Sequence, residues 1–369
     1  MVFLSKLSEY LIQSKQTATG TALSEAESSR IEWMVSEMKK GDPESLPSKY
    51  WEELNKMNIA QLKQNGFENF KRTIALNYFT WTRVIPWDSQ TTFLFHELSW
   101  GQFFRCVGRS LVSKRQDYYS PVNFLKSTFY NLVSHMIWEY LITKIGSEKF
   151  LSLREPMCGN PALIFPRKDM NVTQDLGNSL IEFHSYQEAF TKNPKATVLE
   201  LGAGYGRNAY VTLKLQPQCK YIIADIPPAL WISERYMKEV FPEKKIFTAR
   251  SFQNFSEIAE EFAAADIVFL LSSQVALLPN QSLDFVLNIS SLHEMRKNQV
   301  DYYFSHFSRL LRKQGFFYFK QWKVARVLFE NETLRQEDYP IPQGWKKIFS
   351  RTAKVQTQFF EELYFKESD

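Results

Sequence analysis

Three sets of residues in this chain have types and spacings that can do chemistry. The first is Thr197-Val-Leu-Glu-Leu-Gly-Ala-Gly-Tyr-Gly-Arg207, where three glycines alternate behind an acid, Glu200. Glycine lets a backbone turn sharply and approach a ligand with no Cβ in the way. A helix starting there offers free N–H groups. The spacing Gly202-x-Gly204-x-Gly206 is not the G-x-G-x-x-G of a dinucleotide site, whose helix start holds a pyrophosphate. Glu200 would repel a pyrophosphate by like charge and suits a cationic or amine-bearing ligand. The second set is Asp225, which ends the apolar run Tyr221-Ile-Ile-Ala224. An acid at the tip of a second strand, roughly 20 residues on, bonds ribose hydroxyls, whether of adenosine or of NAD. The third is Asn288-Ile-Ser-Ser-Leu-His-Glu-Met295. Histidine titrates near neutrality, so His293 is the first candidate for a general base and Glu294 the second. The alternatives are structural packing for His293 and capping of a helix first turn for Glu294.

These residues need elements to hold them. Val198, Leu199 and Leu201 make an apolar run long enough for a buried strand and too short for a helix. A helix follows, with Ala209, Val211, Leu213 and Leu215 apolar. After the second strand, Pro227 and Pro228 favour a helix start, and Leu230, Ile232, Tyr236 and Val240 give that helix an inner face. Further strands are expected at 266–271, 284–289 and 315–322, with a helix over 300–312. The tail, 342–365, supplies closing antiparallel strands, and 244–252 allows one extra element. The expected fold class is α/β, a Rossmann-like sheet. Ligands of such sheets lie beyond the carboxyl ends of the strands, so Asp225, the 288–295 rim, Lys320 and Trp322 should share one edge.

Length and composition bound the rest. The chain has 369 residues, 44% of them hydrophobic, with a net charge of +5. It can bury a large core, and no basic block marks a nucleic-acid arm. Aromatics reach 15%, read here mainly as core packing. Cys106, Cys158 and Cys219 are widely spaced and odd in number, which fits a reducing compartment and no disulfide framework. No apolar run spans a bilayer, and Met1-Val-Phe-Leu-Ser-Lys6 lacks a signal-peptide layout. The expectation is a soluble, cytoplasmic protein.

Residues 1–149 read as a helical accessory domain, 150–190 as a connecting segment and 191–369 as the nucleotide fold. Ile31, Trp33, Met34, Val35 and Met38 form a periodic segment that stops near Gly41-Asp-Pro43. Another starts at Ser48. The stretch 67–81 is aromatic-rich, and 121–145 is a long apolar-periodic helix. The helical part covers an acceptor site or oligomerises; the sequence does not choose. In the connecting segment, 154–161 is a turn-rich loop and Thr173 is a candidate N-cap. Asp175, Asn178 and Glu182 share one helix face, either solvated or acceptor-binding.

The pattern E-L-G-A-G-Y-G resembles motif I of class I S-adenosylmethionine-dependent methyltransferases. The ordered set Glu155 to Pro161, Gln174 to Ser179, Glu200 to Arg207, Ala224 to Leu230, Asn288 to Met295 and Tyr318 to Trp322 resembles a bacterial family of sugar O-methyltransferases. That resemblance covers roughly 60–365. It implies a seven-stranded sheet, S-adenosylmethionine as donor and S-adenosylhomocysteine as product. Gly202, Ala203, Gly204, Tyr205 and Gly206 would set the methionine part, with Glu200 drawing its ammonium or sulfonium. Asp225 would hold the ribose, Ile226 would pack on adenine, and Asn288 and Ser290 would complete the donor site. Where the family usually has an acid for the adenine amino group, this chain has Ser273 or Gln274, and Gln274 can accept through its carbonyl. Glu155, Asn160, Asn178 and Lys320 would contact the acceptor, a sugar hydroxyl of a surface glycan. Asp175 and His184 are reserve bases. A divalent metal would draw on Asp175, Glu155 and Glu294, though no spacing compels one. Rival readings are another small-molecule or lipid acceptor, a non-catalytic scaffold and, disfavoured by the glycine spacing, an NAD(P) oxidoreductase.

Overall fold

The computed structural model describes residues 20–74, 89–113, 124–167, 169–191, 193–327 and 330–367. By internal contacts the chain forms two units. One is Met1–Ser24 with Ala60–Ile181; the other is Glu25–Ile59 with Glu182–Asp369. The unit limits therefore fall at 24/25, 59/60 and 181/182, not at 149/150 and 190/191, and Glu25–Ile59 groups with the sheet.

Two helices, α1 (Glu25–Met38) and α2 (Lys49–Asn65), open the described chain. The first buries Ile31, Met34 and Met38 and stops ahead of Gly41-Asp-Pro43, as the sequence expects. The helical unit holds α3 (Ser89–Glu97), α4 (Trp100–Val112), α5 (Phe124–Tyr140) and α6 (Glu148–Ser152). Ser99 and Gln102 close a capping box at the start of α4, satisfying two N–H groups the helix leaves open. Residues 75–81 of the aromatic stretch and 121–123 of the long helix lie outside the described residues. Helix α7 (Gln174–Tyr186) carries the unit boundary. Thr173 caps it, its Oγ1 accepting from the Leu176 N–H at 3.1 Å.

The other unit is built on β1 (Thr197–Leu201), β2 (Lys220–Asp225), β3 (Ile246–Phe247), β4 (Ile267–Leu271), β5 (Leu283–Ile289) and β6 (Leu311–Trp322). Two later strands, β7 (Val324–Val327) and β8 (Glu332–Arg335), pair apart from it, and β9 (Trp345–Thr352) and β10 (Phe359–Lys366) complete it. The sheet order is β3-β4-β2-β1-β5-β6-β10-β9. All pairs up to β6 are parallel, and the last two strands run antiparallel. This is a doubly wound, Rossmann-like order, whose switch point lies between β1 and β5.

The expected count of seven is corrected to eight strands in this sheet among the described residues. The extra one is β3, two residues paired with Ile267 and Val268, too short to give a periodic signal. Helices α8 (Arg207–Leu215), α9 (Ala229–Val240), α10 (Ala259–Ala264) and α11 (Lys297–Leu310) connect the strands. Strand β6 begins at Leu311, directly after α11 and earlier than expected, because Leu310 and Leu311 are both apolar and hide the change of period. Strands β1, β2, β4 and β5 are almost wholly buried. The aromatic residues serve largely as core: Phe317 stacks on Phe319 at 5.0 Å, and Phe304, Tyr339 and Phe360 pack around them.

Candidate active site

The chain leaves β1 through a turn in which Gly202, Gly204 and Gly206 have φ of 73°, 62° and 90°. Side-chain-bearing residues avoid this left-handed region. The Gly202 N–H donates to Ala224 O at 2.8 Å, which carries the β1–β2 pairing one residue further. A Cβ on Gly202 would lie 2.4 Å from Ser291 Oγ, and one on Gly206 2.5 Å from Met237 Cε. Gly202 is thus required by space as well as by angle, whereas at Gly206 the close atom is the mobile end of Met237 and the angle decides. Ala203 and Tyr205 are buried, Tyr205 edge-on to Tyr236.

Asp225 ends β2 directly against this turn. Its Oδ2 accepts the Gly204 N–H at 2.6 Å and its Oδ1 the Ile226 N–H at 2.7 Å. Burial pushes this carboxyl up to about 7, against the pull of the two amides. Glu200 lies buried and accepts from Tyr221 Oη at 2.8 Å and Asn208 Nδ2 at 3.4 Å. Burial raises it to about 8, with the Tyr221 bond acting the other way.

The switch point is closed by Asn288 at the end of β5. Its Nδ2 donates to Leu201 O at 2.9 Å and to Ser291 Oγ at 2.7 Å. Its Oδ1 accepts from Gln321 Nε2 at 2.5 Å and from the Leu292 N–H at 3.3 Å. Ser290 follows with φ 57°, its N–H donating to Lys320 O at 2.8 Å. His293 is buried, with Nδ1 2.8 Å from Gln321 Oε1. Burial, partly offset by that bond, lowers its pKa to about 4, so the ring is neutral at pH 7. His293 Nε2 lies 3.9 Å from Glu294 Oε1. Burial raises Glu294 to about 8; the Trp51 hydrogen bond opposes the rise and the Asp225 charge adds to it. Among the described residues, no Lys or Arg is among the groups acting on Asp225 or Glu294.

Sequence reasoning missed the part played by Glu25–Ile59 here. Trp51 Nε1 donates to Glu294 Oε2 at 3.1 Å, and Ser48 Oγ to Glu294 O at 3.2 Å. Tyr302 Oη donates to Asp42 Oδ2 at 2.9 Å, and Gln299 Nε2 to Leu46 O at 2.6 Å. Gly41 sits so close to Ser273 that a Cβ would lie 2.3 Å from the serine Cβ. Further along, Arg30 pairs with Glu234 at 3.4 Å and Glu27 with Arg235. The Gly41-Asp-Pro43 turn signalled only a helix end, and nothing local named its partner surface. Gln321, inside β6, was also missed.

Other expected site residues have partners that the sequence did not reveal. Gln274 turns back on the backbone, accepting the Leu271 N–H at 3.0 Å and donating to Arg250 O at 2.8 Å. Ser273 is half-buried. Lys320 is buried in an ion pair with Glu182 at 2.8 Å and a hydrogen bond to Gln356 at 2.5 Å. Arg207 joins the same carboxylate at 2.6 Å. Burial opposes ionisation of Glu182, but the two cations outweigh it and hold the carboxyl at about 2. His184 is half-buried, and burial lowers its pKa.

In the helical unit, Glu155 is buried against Lys71 at 2.5 Å and Thr173 Oγ1 at 2.7 Å. Asn160 is exposed, its Nδ2 donating to Asn69 Oδ1 at 2.7 Å. Asn178 is buried, its Nδ2 with no partner among the described residues, and Asp175 is half-buried. Among the described residues no three His, Cys, Asp or Glu side chains group to hold a metal, and no helix is long and apolar enough to cross a membrane.

No family model and no curated protein matches the chain. Solved structures with a similar trace include a SAM-dependent methyltransferase from Aquifex aeolicus, 12% identical, covering 51% of this chain and 91% of its own, with a TM-score of 0.34. Magnesium protoporphyrin IX methyltransferase from Synechocystis, solved with bound SAM, is 11% identical, covering 52% and 82%, with a TM-score of 0.36. An arsenic(III) S-adenosylmethionine methyltransferase from Chlamydomonas reinhardtii is 18% identical, covering 47% and 64%, with a TM-score of 0.30. The fold assignment above rests on this chain's own strand order.

Proposed function

We propose that this protein is an S-adenosylmethionine-dependent O-methyltransferase acting on a sugar hydroxyl. The observation that carries this reading is the glycine turn clamped to Asp225 at the sheet's switch point, with Gly204 N–H on the carboxylate at 2.6 Å. The residues present fit the donor: Asp225 is a buried acid on which no Lys or Arg acts among the described residues, and a sulfonium nucleoside is a cation. Bound there, the donor would supply an electrophilic methyl group.

Each residue then has a task. Each Asp225 oxygen already takes one amide and keeps capacity for a ribose hydroxyl. Gly202 to Gly206 leave room for backbone approach to the methionine part. Methyl transfer to oxygen creates little new charge, so most of the rate comes from positioning. The gap of 3.9 Å between His293 Nε2 and Glu294 Oε1 admits one hydroxyl oxygen within about 2.8 Å of both. Neutral His293 takes the hydroxyl proton late in the step. Glu294, largely protonated at pH 7, donates to the same oxygen and orients it. The sugar class of the acceptor rests on the sequence resemblance.

Calorimetry with S-adenosylhomocysteine tests the donor site. The wild type binds, Asp225→Ala does not, and His293→Ala binds normally but loses about 10²-fold or more in methyl transfer to methyl glycosides. Equal affinity in the wild type and Asp225→Ala refutes the donor site. Mass spectrometry of cell-surface glycans, with and without the active protein, identifies the acceptor.

A further inference from the structure

We propose that Gln321 is a positioning residue that fixes His293 as its Nδ1–H tautomer, leaving the Nε2 lone pair on the Glu294 side. The assignment follows from atoms whose roles cannot be exchanged. The Leu201 carbonyl can only accept, so the Asn288 atom 2.9 Å from it is the amide nitrogen. Asn288 then turns its oxygen to Gln321, which must present its own nitrogen at 2.5 Å. That leaves Gln321 Oε1 facing His293. A second anchor agrees: the His293 backbone N–H can only donate, and it reaches this same atom at 3.2 Å. The ring Nδ1, 2.8 Å from that oxygen, therefore carries the proton. A neutral imidazole has one ring N–H, so Nε2 is the acceptor.

Asn288 and Gln321 are fully buried, so no water competes for these bonds, and the opposite tautomer would leave two acceptors facing each other. The chain runs from the last carbonyl of β1, beside the glycine turn, through β5 and β6 to the ring. The catalytic value of the tautomer rests on the methyl-transfer reading; the tautomer itself does not.

Nitrogen-15 NMR of histidine-labelled protein reads the ring state directly, with no substitution needed. The expected result is a protonated Nδ1 and an unprotonated Nε2 for His293. In Gln321→Met the ring shifts toward the other tautomer, S-adenosylhomocysteine affinity stays within about twofold, and methyl transfer to methyl glycosides falls about tenfold or more. A protonated Nε2 in the wild type overturns the inference even if Gln321→Met does not fold. So does a Gln321→Met protein with unchanged tautomer or unchanged transfer. If the tautomer is as stated but S-adenosylhomocysteine fails to bind, the relay stands and the methyltransferase reading falls.

Discussion

Replacing Gly202 with alanine puts the turn under a load that the coordinates allow to be sized. At φ 73° an L side chain costs roughly 1–2 kcal/mol. The added Cβ would lie 2.4 Å from Ser291 Oγ and 2.5 Å from Ser291 Cβ. Rotating the hydroxyl away removes only one of these contacts. It also breaks the bonds to Leu201 O at 3.3 Å and Asn288 Nδ2 at 2.7 Å. Overpacking of this kind costs about 1–3 kcal/mol, so Gly202→Ala should lose about 2–5 kcal/mol in all. Urea unfolding followed by tryptophan fluorescence measures it. Ser291→Gly removes both clashing atoms and leaves the dihedral strain in place. The double variant should therefore recover about 1–3 kcal/mol of coupling energy. A loss below about 1 kcal/mol for the single variant, or strictly additive variants, would refute the packing argument.

Two further outcomes follow from the buried charges. Lys320→Met leaves the Glu182 carboxylate with Arg207 as its sole cationic partner among the described residues and should destabilise by about 1.5–3 kcal/mol; urea unfolding that gives less than about 1 kcal/mol would refute a stabilising role for the buried lysine. The second concerns pH. Asp225 rises from 3.8 to about 7 on folding, and Glu200 and Glu294 from 4.5 to about 8. The folded state holds these protons more tightly, so their stabilisation is complete below the unfolded pKa values and is lost as pH rises through the folded ones. His293 and His135, lowered from 6.5 to about 4, act in the opposite sense, but only below about pH 6.5. The Tm of the ligand-free protein should therefore drop between about pH 6.5 and 8, and a flat or rising Tm across that window in differential scanning calorimetry contradicts the upward shifts of these acids.

The parts of this fold that local chemistry dictates were legible. The run Val198 to Leu201, the alternating glycines and Asp225 announce a strand, a turn and a second strand in the right order, and the Gly204–Asp225 bond joins them. Thr173 read as a cap and serves as one. Partners distant in sequence were not legible. Lys320 pairs with Glu182 across 138 positions and Trp51 with Glu294 across 243. A buried lysine and a solvated one look alike until the fold supplies the carboxylate. Gln274 presented the functional group an adenine would need, yet its amide caps the end of its own strand, a local competition that residue type alone does not reveal.

Because Glu25–Ile59 belongs to the sheet unit, the chain cannot be assembled in the order it is made. Ile31, Met34 and Leu54 leave the ribosome before any strand of the sheet exists. At ~5–20 residues per second, the roughly 300 residues from Leu54 to the last strand of the sheet take about 15–60 s. For that interval the apolar face of this segment waits for partners that lie far along the chain, among them Glu234, Ser273, Glu294 and Gln299.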